Sequence, residues 1–140
     1  MKSRMVFGSI VMMLVLALPA NGQLQKYFSD AAKKVKATEN ASEKRMILNE
    51  SFQTVSKALD KVQGLALIPE SDRVSIDRFK ATLREKQDEL AGLNGFARVS
   101  DEQLNTFSDY VVQDLEQAEV ILTISLVTLL LIIIIIILLT

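Results

Sequence analysis

The chain contains no cysteine and no histidine in 140 residues. The first absence excludes disulfide stapling and thiol chemistry. Together the two remove the usual ligands of zinc, haem, copper and non-haem iron, and the bases of serine and cysteine hydrolases. Carboxylates, lysines, tyrosines and hydroxyls are the reactive groups that remain, so no enzyme activity, cofactor or metal is expected. Aromatic residues make up 6% of the chain and no basic stripe is interleaved with rings, which argues against nucleic-acid binding. With Pro at 2 positions and Gly at 5, little interrupts the chain over long stretches.

What is abundant is apolar sequence at both ends. From Val120 to Leu139 there is no charge, Gly or Pro, and Thr123, Ser125 and Thr128 are the only polar residues. Roughly twenty residues at about 1.5 Å each span about 30 Å, the thickness of a bilayer's hydrocarbon core. This predicts a transmembrane helix over 120–140. A buried core helix is the weaker reading, because a chain this small has too little other apolar surface to cover every side of it. At the other end, "MKSRMVFGSIVMMLVLALPANGQ" sets Lys2 and Arg4 before an apolar stretch, then Pro19, Ala20 and Gly22. That is the three-part pattern of a secretory signal peptide over 1–22, with the mature chain starting at Gln23. An uncleaved anchor, giving a two-helix membrane hairpin, is the alternative. A removable lipid-anchor signal at the C-terminus is disfavoured, because Asn105-Thr106-Phe107 and Ser108-Asp109-Tyr110 each place a bulky ring third.

Between these ends, residues 23–119 read as helix. Leu24, Phe28, Ala31 and Val35 form one apolar row, predicting a first helix over 24–38. Leu48, Phe52, Val55, Leu59, Val62 and Ala66 form a heptad row on a second helix over 41–67, with Asn40 as N-cap and Glu43 as its capping-box partner. Ile76, Phe79, Leu83, Lys86, Leu90 and Leu93 form a third row over 72–93, ended by a glycine of "GLNG" in the left-handed conformation. Ser100 opens "SDEQ" as an expected N-cap with Gln103 at its capping-box position, and Leu104, Phe107, Val111, Leu115, Ala118 and Leu122 continue the pattern. No Gly or Pro follows Ser100, so the last helix and the membrane span are expected to form one continuous rod. The expected class is all-α: a small antiparallel helical bundle or long helical hairpin continuous with a C-terminal transmembrane helix. An extended coiled-coil dimer is the alternative, since heptads do not say which chain supplies the partner row.

The charges are segregated. Lys26, Lys33, Lys34 and Lys36 are opposed only by Asp30, whereas 101–119 carries Asp101, Glu102, Asp109, Asp114, Glu116 and Glu119 with no Lys or Arg. The absence of basic residues beside the span fits residues 23–119 on the extracytoplasmic side of a cell membrane, held by a single pass. Asn40 and Asn49 stand in glycosylation sequons that matter only in a eukaryotic secretory pathway. Lys26, Lys33, Lys34 and Lys36 are candidate contacts for anionic lipid or a partner, with a solvated face as the bland reading. A second expectation is that this basic first helix lies antiparallel to the acidic segment, Phe28 and Val35 supplying apolar contact to Phe107 and Val111. Glu85, Asp88 and Glu89 read as a solvated charged face rather than a calcium site, for want of a turn and carbonyl supply. Lys86, on an apolar row, is expected to snorkel to the surface, with a role in setting helix pairing as the alternative.

These features point to a non-enzymatic, membrane-anchored helical interaction or structural protein. Its expected partners are membrane lipid and another membrane or envelope protein, or itself. A small extracytoplasmic bundle that senses a ligand and acts through a membrane partner is the second function class.

Overall fold

The computed structural model describes residues 23–120 and 124–140. The expected signal segment over 1–22 lies outside the described residues. Five α-helices account for most of the rest: α1 Gln23–Ala37, α2 Ala41–Gln63, α3 Glu70–Ala91, α4 Leu104–Val120 and α5 Leu126–Leu139. A 3-10 turn, Asp101–Gln103, leads into α4. The all-α expectation holds, and α1–α4 form an antiparallel up-down-up-down bundle.

Helix boundaries follow local chemistry. The Asn40 side chain accepts a hydrogen bond from the Glu43 amide at 3.1 Å, capping the start of α2. Gly92 ends α3 with φ 75, and a Cβ there would lie 2.8 Å from the Arg98 backbone, so both conformation and space require glycine. α2 stops at Gln63, short of the expected 67, because Pro69 and the turn before it need extended backbone; Ala66 is consequently exposed. Leu93, beyond the end of α3, is also exposed. Ser100 makes no side-chain cap, and the tight 3-10 turn takes up the expected first turn of α4.

The core is built from the apolar rows. Leu24, Phe28 and Val35 of α1, Phe52, Val55 and Leu59 of α2, Ile76, Phe79 and Leu83 of α3, and Leu104, Val111 and Leu115 of α4 are all buried in one cluster. Phe28 and Phe52 bring their ring centroids within 6.0 Å. Pairing within one chain satisfies the heptad rows without a second copy.

The expected placement of α1 against α4 is what the structure shows. Lys36 near the end of α1 pairs with Asp109 near the start of α4, while the Leu24 and Gln25 amides at the start of α1 donate to Glu119 near the end of α4, at 3.2 and 2.8 Å. The Glu119 carboxylate therefore covers amides that the first turn of α1 leaves without intrahelical partners. Phe28, Val35, Phe107 and Val111 are all buried.

Two expectations are corrected. Lys86 does not snorkel: it is 6% exposed, and its ammonium pairs with Asp114 of α4 and with Glu89 at 3.1 Å. It is a buried tie between α3 and α4, and the acidic segment supplies its partner. Nor is the end of the chain one rod. α4 ends at Val120, and Ser125, at φ −67 and ψ 155, is the extended N-cap of a separate helix. α5 has 14 residues, about 21 Å of helix against the 30 Å or so of a bilayer core. Among the described residues no helix is long and apolar enough to cross a membrane. Instead α5 folds back along α2.

Candidate functional site

The junction of α5 with the bundle holds a polar network around Asp72, one of the two buried charges among the described residues. Asp72 lies in the first turn of α3, where Pro69 pre-sets the entry and the Asp72 amide donates to the Pro69 carbonyl at 3.1 Å. Its side chain is only 4% exposed. One carboxylate oxygen receives the Thr128 hydroxyl at 2.7 Å, the Ser125 hydroxyl at 3.1 Å and the Ser125 amide at 3.3 Å. Ser125 also accepts from the Thr128 amide at 3.2 Å, which completes its own cap of α5.

The carboxylate thus lies at two helix N-termini, its own and that of α5, where the partial positive charge of each favours an anion. Burial pushes the Asp72 pKa upward, but the hydrogen bonds from Thr128 and Ser125 outweigh it and hold the group below its ordinary 3.8. Asp72 is therefore a charged clasp on the start of α5.

Beyond the clasp, α5 packs on the bundle through apolar side chains. Leu129, Ile132, Ile133 and Ile136 are buried, on the side that packs into the core cluster. Val127, Leu130, Ile134 and Leu138 are exposed, with Leu138 at 78%. Both sides are apolar because the helix sequence, LVTLLLIIIIIILL, contains no polar residue but Thr128. A helix that is apolar all round is covered on all sides in its working environment.

The expected contact lysines are distributed along α1. Lys26 pairs with Asp30 at 3.1 Å and Lys36 with Asp109, so both are engaged within the chain. Lys33 is exposed, and Lys34 lines a cavity of about 220 Å³ with Tyr27, Glu50, Ser51, Thr54, Leu139 and Thr140. Burial raises the Tyr27 pKa against the lowering effect of Thr54 and Ser51. Glu85 is exposed, Asp88 accepts from the Asn94 side chain and Glu89 pairs with Lys86. Among the described residues no group of three or more carboxylates is placed to hold a metal ion.

Asp72 was not distinguishable in the sequence from the other carboxylates of α3. Ser125 and Thr128 were visible as hydroxyls three apart in an apolar run, but their partner is 53 to 56 residues away. No family model, curated protein or solved structure matches the chain.

Proposed function

We propose that the protein is a membrane-anchored helical interaction module. In this reading 120–139 lengthens into the span, residues 23–119 stand on the extracytoplasmic side, and the bundle presents its surface to another envelope protein or to a second copy. The observation that carries it is the outer side of α5, where Val127, Leu130, Ile134 and Leu138 form an exposed apolar stripe. Water is a poor solvent for such a stripe, and hydrocarbon covers it fully. The acidic α4 and the absence of Lys or Arg between 99 and 140 support the orientation.

The bundle itself supports an interaction role. The buried Lys86 tie joins α3 to α4, and the basic block of α1 lies against the acidic block of α4. The ligand-sensing reading finds its best support in the cavity beside Tyr27, yet at about 220 Å³ that space is below the 300–1,000 Å³ or so that organic ligands occupy.

Alkaline carbonate extraction of cells producing the full chain, followed by protease treatment of spheroplasts, tests the reading. The expected result is retention in the membrane pellet, an N-terminus at Gln23 and loss of the bundle to external protease. Release by alkali removes the anchor, and protection of the bundle reverses the orientation.

A further inference from the structure

We propose that α5 docked on α2 is a closed form of the membrane anchor, kept shut by the Asp72 clasp and opened by the bilayer itself. This deepens the membrane-anchor reading and rests on it. The occupant of the apolar stripe is lipid hydrocarbon: α5 and the residues before it carry no charge from Val120 to Leu139, and no side of α5 is polar.

The two kinds of contact that hold α5 respond differently to a bilayer. Leu129, Ile132, Ile133 and Ile136 lose little on transfer, because acyl chains are as apolar as the neighbours they leave. Val127, Leu130, Ile134 and Leu138 gain, since they are exposed in the docked form. The hydrogen bonds to Asp72 are the contacts for which hydrocarbon has no substitute, so they resist opening together with the apolar bundle residues that α5 shields from water.

Opening also leaves no polar group stranded. Once the Ser125 amide is released, it can be satisfied inside a longer helix, as the interior amides of any spanning helix are. The Ser125 and Thr128 hydroxyls can bond carbonyls of the preceding turn, as hydroxyls inside helices do. Asp72 regains water while remaining in the first turn of α3, a favourable place for an anion. The same residues therefore serve two states: Ser125 is an N-cap when Asp72 holds it and an interior residue of the span when Asp72 does not.

The chain has no native cysteine, so a reversible lock can be placed without background. Gln53 and Thr140 are both exposed and line the same cavity, at the far end of α5 from the clasp. Gln53→Cys and Thr140→Cys in the full chain, joined by a cleavable bis-maleimide linker, would hold α5 on α2. The protein is synthesised cell-free without lipid, then mixed with vesicles of phosphatidylethanolamine and phosphatidylglycerol, and the carbonate-resistant fraction is followed in time. The locked chain is expected to stay extractable, and cleavage of the linker in the same sample is expected to restore insertion. Asp72→Ala, unlocked, is expected to insert about tenfold faster, the factor that about 1.4 kcal/mol of lost clasp corresponds to.

Equal insertion of locked and cleaved chains, or an Asp72→Ala rate equal to that of the parent, would overturn the closed-form proposal and leave the anchor reading standing. Failure of every form to insert, cleaved and Asp72→Ala included, would overturn both. The locked-against-cleaved comparison uses one polypeptide, so it does not depend on the folding of the Asp72 variant.

Discussion

α3 and α5 meet at Asp72 and answer the problem of burial in opposite ways. α3 hides one row, Ile76, Phe79, Leu83, Lys86 and Leu90, with Asp72 and Ser75 buried near its start, and turns mostly charged and polar residues outward. α5 hides Leu129, Ile132, Ile133 and Ile136 and then presents more of the same chemistry outward. The first helix is finished once it is packed, because water covers its remaining faces well. The second is not, because packing on α2 covers one side only. Their polar groups are opposed too: in α3 a lysine on the apolar row is paired inside the bundle, whereas in α5 the hydroxyls sit at the end and reach for a carboxylate on another helix. The difference teaches that helical class and solvent are separate questions.

The contrast can be broken most severely within α3. Phe79→Ala removes a ring that is 2% exposed and should lower the stability of the bundle by about 3–5 kcal/mol in denaturant unfolding. On the outer side of α5 the same measurement should hardly move. Leu130→Lys, at a site 41% exposed and near the middle of the apolar run, should leave the unfolding of α1–α4 unchanged. In the membrane it should cost about 2.5–3.5 kcal/mol of insertion, read as loss of carbonate-resistant protein. A surface lysine that left membrane retention intact would show that position 130 never enters hydrocarbon.

Asp72→Ala should act between these extremes. It leaves two hydroxyls and an amide without their acceptor, a cost of about 1–3 kcal/mol confined to the docking of α5. Amide hydrogen exchange should accelerate across 126–139 and stay unchanged in α2 and α3. Lys86→Met should be smaller still, within about 1 kcal/mol, because an apolar side chain of similar length fills the row and the carboxylates of Asp114 and Glu89 retain access to water.

The smallest effect expected is that of pH across the neutral range. Asp72 is held below its ordinary 3.8, so its contribution is complete above that value and disappears as pH falls through the lower folded value. For Lys86, burial lowers the pKa but the hydrogen bonds it donates to Asp114 and Glu89 more than offset it, and the group lies above its ordinary 10.5. Its contribution is complete below that value and disappears as pH rises through the higher folded value. Neither group titrates between about pH 5 and 9, so exchange rates in α5 and bundle stability should show no step there that traces to them. A step in α5 exchange near pH 6 that persists in Asp72→Asn would assign the docking to other groups.

Much of the bundle was legible in the residues alone. Apolar rows at helical spacing, the Asn40 cap and the glycine after Ala91 are local signals, because a helix buries one face and ends where its backbone groups find other partners. Even the pairing of α1 with α4 could be read, since Lys36 and Asp109 lie in blocks of opposite sign and four short-linked helices bring first and last together. Three things were left to the tertiary structure. Lys86 on an apolar row reads equally well as a snorkelling side chain, and only the approach of Asp114 from α4 makes burial favourable. Ser125 inside an uninterrupted apolar run reads as helix interior, and only a carboxylate brought to its amide by the α2–α3 turn makes the extended conformation the better one. Asp72 resembles any other acidic residue in a first helical turn until α5 arrives. Local propensity sets where a helix can form, but a buried charge is tolerable only where distant residues converge to satisfy it, and that convergence is a property of the folded chain.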